Sequence, residues 1–241
     1  MDRVLVLYVF HEYNDLVKNF INKAIFCDST TDFVVICNNI NISFTLPFYV
    51  KKVIRNNIGY DFAAWSEVLL KDNLYENYNK FIFVTSSACG PFLHSHFKGR
   101  WTDIYLKELK HNIKLFGSTI NTCADPLNKS HVQSYIFAMD KQALEYLIKC
   151  EIFSTTNYAN TLEENIWTKQ VRMSRKIIEN GWNIGSFLPY YKNVDFTATN
   201  FSYYKMEFLN DIMHNEHRNV LWNEYQLIFV KGNRKIVVNL P

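Results

Sequence analysis

Apolar runs of strand length alternate with segments of helical spacing along the first hundred residues. Positions 3–10 carry the run VLVLYVF, continuous enough to read as a central parallel strand buried on both faces. Asn14 then offers an N-cap, and Leu16, Val17, Phe20, Ile21, Ala24 and Ile25 follow at helical spacing. DFVVICNN (32–39), VKKVIRNN (50–57) and FIFVTSS (81–87) predict three further strands, each running into polar turn residues, with a helix over 61–70. Strands alternating with helices in this way predict a parallel sheet wound with helices. Ligands of such sheets sit beyond the carboxyl ends of the strands, which directs attention to the loops 37–39, 55–61 and 85–90.

The second half keeps the same vocabulary. A helix is predicted over 101–112, a strand over 113–121, and an alternating strand over 131–140 leading into the helix KQALEYLIK. A long helix over 161–180 places Ile166, Trp167, Val171, Ser174, Ile177 and Ile178 along its inner side, and Gly181 closes it. WNIGSFLPYY returns as a short strand. No linker interrupts this order. The expectation is one α/β domain over 1–241 in two lobes, 1–100 and 101–241.

Composition narrows the classes. Hydrophobic residues at 48% and aromatics at 16% suffice for a large core and argue against disorder. The formal net charge is +3, and the basic residues Lys98, Arg100, Lys107, Lys110 and Lys114 are spread out as on a solvated helix face. No concentrated basic stripe marks a nucleic-acid partner. Five cysteines (27, 37, 89, 123, 150) lack CxxC spacing and read as free thiols of a reducing compartment. The opening apolar run is too short for a signal peptide or a membrane span, so a cytoplasmic protein without a transmembrane segment is expected. The sequons at Asn41, Asn128 and Asn200 are expected to be unused.

Three segments could carry chemistry. In RNNIGYDFAAW (55–65), Asn56, Asn57 and Gly59 tolerate left-handed backbone, the following helix start can seat a phosphate, and Asp61 can accept from a ribose or sugar hydroxyl. The plainer reading is a turn with Asp61 as helix cap. In VTSSACGPF (84–92), Ser86 and Ser87 precede a Gly-Pro turn and can donate to phosphate oxygens, although a serine-rich turn alone would look the same. In NTLEENIW (160–167), Thr161 and Glu164 form a capping box, whereas Glu163 shares a row with Trp167, Gln170 and Ser174. That row predicts a carboxylate turned into the cleft, suited to a general base, against the alternative of a solvated glutamate. His131 and Gln133 precede a strand and could face the same cleft, His131 serving as a second base or a structural histidine. The pairs His94, His96 and His214, His217 lack a third ligand of matching spacing.

Taken together these pieces resemble the rhamnan-synthesis-type glycosyltransferases, relatives of bacterial rhamnosyltransferases and of domains in large DNA viruses. RNNIGYDFAAW is similar to their N-x-G-x-D-x-x-A-W stretch, and FIFVTSSACGPF to their F-N-(D/S)-S-x-x-G-P-F segment. The order W-T, L-x-G-x-T-x-N and H-x-Q-S is matched by WTDIYLKEL, IKLFGSTIN and HVQSYIFAMD. MSRKIIENGWNI and LIFVKGNR resemble two closing motifs, so the likeness runs from about residue 5 to residue 235.

The resemblance implies a GT-A-like, Rossmann-type sheet and transfer of a sugar, with rhamnose the first candidate, from a UDP, dTDP or GDP donor to a glycan hydroxyl. It places Asn57, Gly59 and Asp61 in the donor loop, Ser86 and Ser87 where relatives carry an acidic metal motif, and His131 and Gln133 in the His-Gln-Ser motif. Thr85 and Ser86 depart from that acidic pattern, which puts Mn²⁺ or Mg²⁺ dependence in question. In its place Lys231 or Arg234 could offset the diphosphate charge. Gln170 stands where a helix glutamate is expected, leaving Glu163 as first choice of base. A single base and no nucleophile imply inversion at the sugar carbon. The rival is a non-catalytic nucleotide- or carbohydrate-binding module that has lost its acids. If the protein is viral, the compartment expected is the host cytoplasm.

Overall fold

The computed structural model describes residues 2–122, 130–198 and 223–232. At its centre lies β1 (Val4–Phe10), seven residues all buried, as the unbroken apolar run requires. Chain reversal through α1 (Asp15–Lys23) is set by Asn14, whose side chain accepts from the Val17 amide at 3.2 Å. β2 (Thr31–Cys37) then pairs parallel to β1, from Val4 opposite Thr31 to Phe10 opposite Cys37. β3 (Lys51–Ile54) pairs parallel to β2 and forms one edge. After α2 (Tyr60–Leu70), β4 (Lys80–Thr85) joins the other side of β1.

The chain continues through β5 (Ala88–Cys89), α3 (Trp101–Leu106), β6 (Ile113–Gly117), β7 (Ile120–Asn121), β8 (His131–Val132) and β9 (Ile136–Asp140). Beyond α4 (Lys141–Lys149), a helix begins as α5 (Leu162–Asn165), passes through a π-helical stretch at Ile166–Val171 and ends as α6 (Arg172–Glu179). β10 (Asn183–Ser186), α7 (Glu224–Leu227) and β11 (Val230–Lys231) follow. The main sheet has seven strands in the order β3-β2-β1-β4-β9-β6-β10, and only β9 runs against the rest. This is a mixed α/β fold with a mostly parallel central sheet flanked by helices, in keeping with the GT-A-like, Rossmann-type class. The antiparallel β9 is the departure from an all-parallel winding. It enters between β4 and β6, so a single sheet runs through both halves of the chain.

Each face of the sheet carries its own core. Leu5, Leu7, Val9, Val34 and Ile36 point to one side, where Trp65 of α2 is fully enclosed against Phe83 and Phe137 at ring distances of 5.3 and 5.5 Å. Val4, Val6, Tyr8 and Phe10 point to the other, where Tyr8 stacks on Phe20 at 3.9 Å. The alternation along β1 therefore divides one apolar run between two layers, as a strand buried on both faces must.

Three predicted elements are shorter than their apolar patterns. The helix from Trp101 stops at Leu106, and the chain then turns through His111 in left-handed conformation (φ 52°). The strand expected over 131–140 is two strands, β8 and β9, separated by a turn that gives Ser134 a partner on the π-helical stretch. The strand expected over 113–121 likewise divides into β6 and β7.

Candidate functional site

The carboxyl ends of β1, β2, β3 and β4 lie side by side, and the segments leaving them form the candidate site. At the end of β2, Asn38 is buried, and its carbonyl lies 2.9 Å from the His11 Nδ1 that follows β1. Arg55, one residue past β3, organises the next loop. Its Nη1 donates to Asn38 Oδ1 at 3.0 Å, its Nη2 to the Ile58 carbonyl at 2.9 Å, and its Nε and Nη2 grip Glu67 at 2.7 and 2.6 Å. Tyr158 adds a bond to Glu67 Oε1 at 2.9 Å. Burial would raise the Glu67 carboxyl, but the bonds from Arg55 and Tyr158 outweigh it and leave the group below the usual carboxylate range.

That clamp fixes two successive left-handed residues, Gly59 (φ 71°) and Tyr60 (φ 58°), at the start of α2. Only glycine fits the first: a Cβ there would lie 2.6 Å from Ala63 Cβ and 2.9 Å from Tyr158. Tyr60 is a bulky residue held in a disfavoured region, the kind of local strain that collects at ligand sites. The cap residue Gly59 has no side chain to satisfy the first amides of α2, so these point into the loop. Asp61 comes next. Its carboxyl makes no hydrogen bond or ion pair among the described residues, and desolvation raises its pKa to about 6. Asn56 and Asn57 are exposed along the same loop.

At the end of β4, the Ser86 amide bonds the Val9 carbonyl at 2.8 Å, which holds this turn beside β1. Thr85 Oγ1 and Ser87 Oγ share a hydrogen bond of 2.7 Å. β11 pairs antiparallel to β5 with Lys231 opposite Ala88, and the Gly232 amide bonds the Ser87 carbonyl at 2.8 Å. The fold thus carries Lys231 to the serine turn from 144 positions away, while Arg234 lies outside the described residues. The oxygens gathered here are hydroxyls, and no group of three His, Cys, Asp or Glu comes together among the described residues. That donor set does not fit a hard divalent cation, which takes several carboxylate or carbonyl oxygens.

The far wall is built by β8, the turn after it and the π-helical stretch. His131 is buried opposite Asn121 in the β7–β8 ladder. Thr119 Oγ1 donates to Gln133 Oε1 at 2.7 Å, and Ser134 Oγ donates to Gln170 Oε1 at 2.6 Å. The Val132 amide donates to Ser174 Oγ at 3.0 Å. Asn121 and Asn165 each bury an Oδ1 that has no hydrogen-bond partner among the described residues. Such orphaned acceptors call for a donor from outside.

One expectation about direction is corrected. Glu163 was placed on the inward row, but its side chain is exposed, as is Trp167. The π-helical stretch rephases the helix, so Asn165, Lys169, Val171 and Met173 turn inward with Ser174 and Ile177. The carboxylate recessed at the strand ends is Asp61 instead. Sequence reading missed Arg55, Glu67 and Tyr158 as a unit, and nothing in the spacing of 55, 67 and 158 announces it. His94 stacks on His96 at 5.4 Å and on Tyr225 at 4.6 Å, outside any metal group among the described residues, while His214 and His217 lie outside the described residues.

Cys27, Cys37, Cys89 and Cys150 are free thiols, and burial pushes Cys89 up to about 11. Cys123, Asn128 and Asn200 lie outside the described residues. No helix among the described residues is long and apolar enough to cross a membrane.

No protein-family model matches the chain, and no curated protein matches it. Among solved structures, the crystal structure of A197 from STIV aligns with 59% of this chain and 67% of its own, at 7% identity and a TM-score of 0.32. An alignment that loose carries no argument about function. The likeness to rhamnan-synthesis-type enzymes therefore stands on the motifs alone.

Proposed function

We propose that the chain binds a nucleoside-diphosphate sugar at the carboxyl ends of β1 to β4 and transfers the sugar to a glycan hydroxyl. The observation that carries this reading is Asp61: an unpartnered carboxylate, recessed at the start of α2, in a loop whose left-handed backbone is clamped in place. A half-buried charge without a partner among the described residues is costly to the fold, and its retention makes sense as a receiver of ligand hydroxyls.

In this reading Asp61 accepts from a ribose or sugar hydroxyl, and the loop of Asn56, Asn57 and Gly59 lies along the donor. Ser86, Ser87 and nearby amides donate to the diphosphate, with Lys231 opposing its charge. The acceptor oxygen attacks the anomeric carbon, the bond from that carbon to the phosphate oxygen breaks, and the nucleoside diphosphate leaves with the electron pair. The acceptor proton passes to a base. His131 takes precedence over Glu163, because Glu163 faces solvent. One displacement inverts the anomeric centre. No metal enters, since the residues at the serine turn do not fit one. Rhamnose is the first sugar to try.

A binding module that no longer transfers is the second reading. It is favoured by the amide of Gln170, bonded to Ser134 where a carboxylate would serve as base, and by the exposure of Glu163. Release of nucleoside diphosphate from UDP, dTDP and GDP sugars, with mixed glycan acceptors, separates the two. Turnover lost in Asp61→Asn and reduced at least about a hundredfold in His131→Gln supports transfer with His131 as base. Binding without release from any donor establishes the module.

A further inference from the structure

We propose that the β3 edge of the sheet docks onto an anionic lipid bilayer. Of the eleven large apolar side chains exposed among the described residues, five fall within 40–58: Ile40, Phe48, Tyr49, Ile54 and Ile58. Phe48 is 98% exposed, so it contributes nothing to the core. Scattered single apolar residues on a surface are ordinary, but a concentration along one edge is not.

Charge decides the partner. From Phe33 to Tyr60 the chain has no aspartate or glutamate, and its only charged residues are Lys51, Lys52 and Arg55. Arg55 is spent on Glu67, whereas Lys51 and Lys52 are exposed on the edge strand, Lys52 reaching the Phe44 carbonyl and ring. On the neighbouring elements Asp32 at the head of β2 is paired with Arg3 and Glu67 on α2 with Arg55, while the unpaired Asp61 is recessed at the start of α2 rather than exposed on the edge. The edge thus presents cations and apolar side chains with no free acid among them. An aromatic beside two lysines suits the headgroup region of a bilayer, with the ring below the phosphates and the ammonium groups among them.

Lysines on an open strand edge also discourage edge-to-edge pairing, and among the described residues no strand pairs with the outer side of β3. That role explains Lys51 and Lys52. It does not explain the full exposure of Phe48 or the run of 28 residues without an acid. Docking here is independent of the sugar-transfer reading. Ile40, Ile54 and Ile58 lie at the strand ends where the candidate site opens, so docking would set that opening beside the membrane.

The test is co-sedimentation of the full chain with vesicles of phosphatidylcholine alone and of phosphatidylcholine mixed with phosphatidylserine. Binding to the mixed vesicles alone, weakened by salt, is expected. Each lysine near an anionic surface strengthens binding roughly fivefold, so Lys51→Glu with Lys52→Glu should weaken it by more than about twentyfold. Phe48→Ser should weaken it severalfold with little change in melting temperature, because the side chain is 98% exposed and its ring meets only the half-exposed Tyr49 ring, edge-on at 5.5 Å. No sedimentation with anionic vesicles would overturn the proposal. So would equal binding to both vesicle types, or binding that all three substitutions leave intact. A concentration-dependent dimer disrupted by Phe48→Ser, without vesicle binding, would assign the edge to a second copy of the chain instead.

Discussion

Asp61 is where a single side chain makes the strongest demand on the fold. Its folded pKa of about 6 lies above the unfolded value of 3.8, so the native state holds a proton that the unfolded chain releases between those values. Stability therefore falls as pH rises through that window and stays lower above it. The cost at neutral pH reaches about 3 kcal/mol, taken at roughly 1.4 kcal/mol for each pKa unit. Asp61→Asn should accordingly raise the unfolding free energy near pH 8 while leaving it unchanged at about pH 3, as denaturant titration at the two values would show. The same substitution should abolish donor binding, since an amide accepts less well than a carboxylate. Wild-type affinity for a donor should weaken as pH drops below about 6, where Asp61 becomes neutral. Gly59→Ala tests the backbone beside it. The added methyl meets Ala63 and Tyr158 at positive φ, so a loss of about 1–3 kcal/mol is expected together with weakened binding. At this scale the sequence was informative about Gly59 and Asp61, because glycine and a helix-start acid are local signals. It was silent about the isolation of Asp61, which depends on what distant residues fail to offer it.

Among elements, the loop between β3 and α2 owes its shape to Arg55, Glu67 and Tyr158. Arg55 is enclosed but Glu67 is about a third exposed, so water can partly solvate the carboxylate left behind, and Arg55→Met should cost about 1–2 kcal/mol in chemical denaturation. Tyr158→Phe removes one neutral donor to the same carboxylate and should cost about 1 kcal/mol. If the clamp presets the loop, both variants also weaken ligand binding, and Tyr158→Phe does so with the fold largely intact. Element positions were largely legible: β1, α1, α2 and α4 lie within a residue or two of their patterns, because period and caps are properties of the local chain. The long helix was legible in extent but not in phase. A π-helical stretch adds backbone without altering the apolar composition, so the row through Glu163 pointed the wrong way and Gln170 became the partner of Ser134. β9 was read as a strand, but its direction depends on which neighbours it finds. The division of 131–140 likewise answers to the helix, where Ser174 accepts from the Val132 amide and Gln170 accepts from Ser134.

For the whole molecule, strand order brings together what the sequence holds apart. The 55–61 loop, the serine turn, Lys231 and the His131 segment are dispersed over most of the chain and converge because β4 sits between β1 and β9. The four motifs noticed along the chain thus gather at one end of the main sheet, Lys231 and His131 on two-stranded pairs beside it, which periodicity alone could not reveal. Whether that end binds a nucleotide sugar is the central question, and ligand-dependent thermal stability addresses it most directly. Purified protein would be heated with UDP, dTDP and GDP and their sugar conjugates, each with Mn²⁺ and with chelator. A rise in melting temperature with one nucleotide sugar is expected, unchanged by chelator, absent in Asp61→Asn and smaller in Gly59→Ala, since tight binding stabilises the native state by mass action. No rise with any of them, or a rise that both variants retain, would contradict the assignment of the donor site.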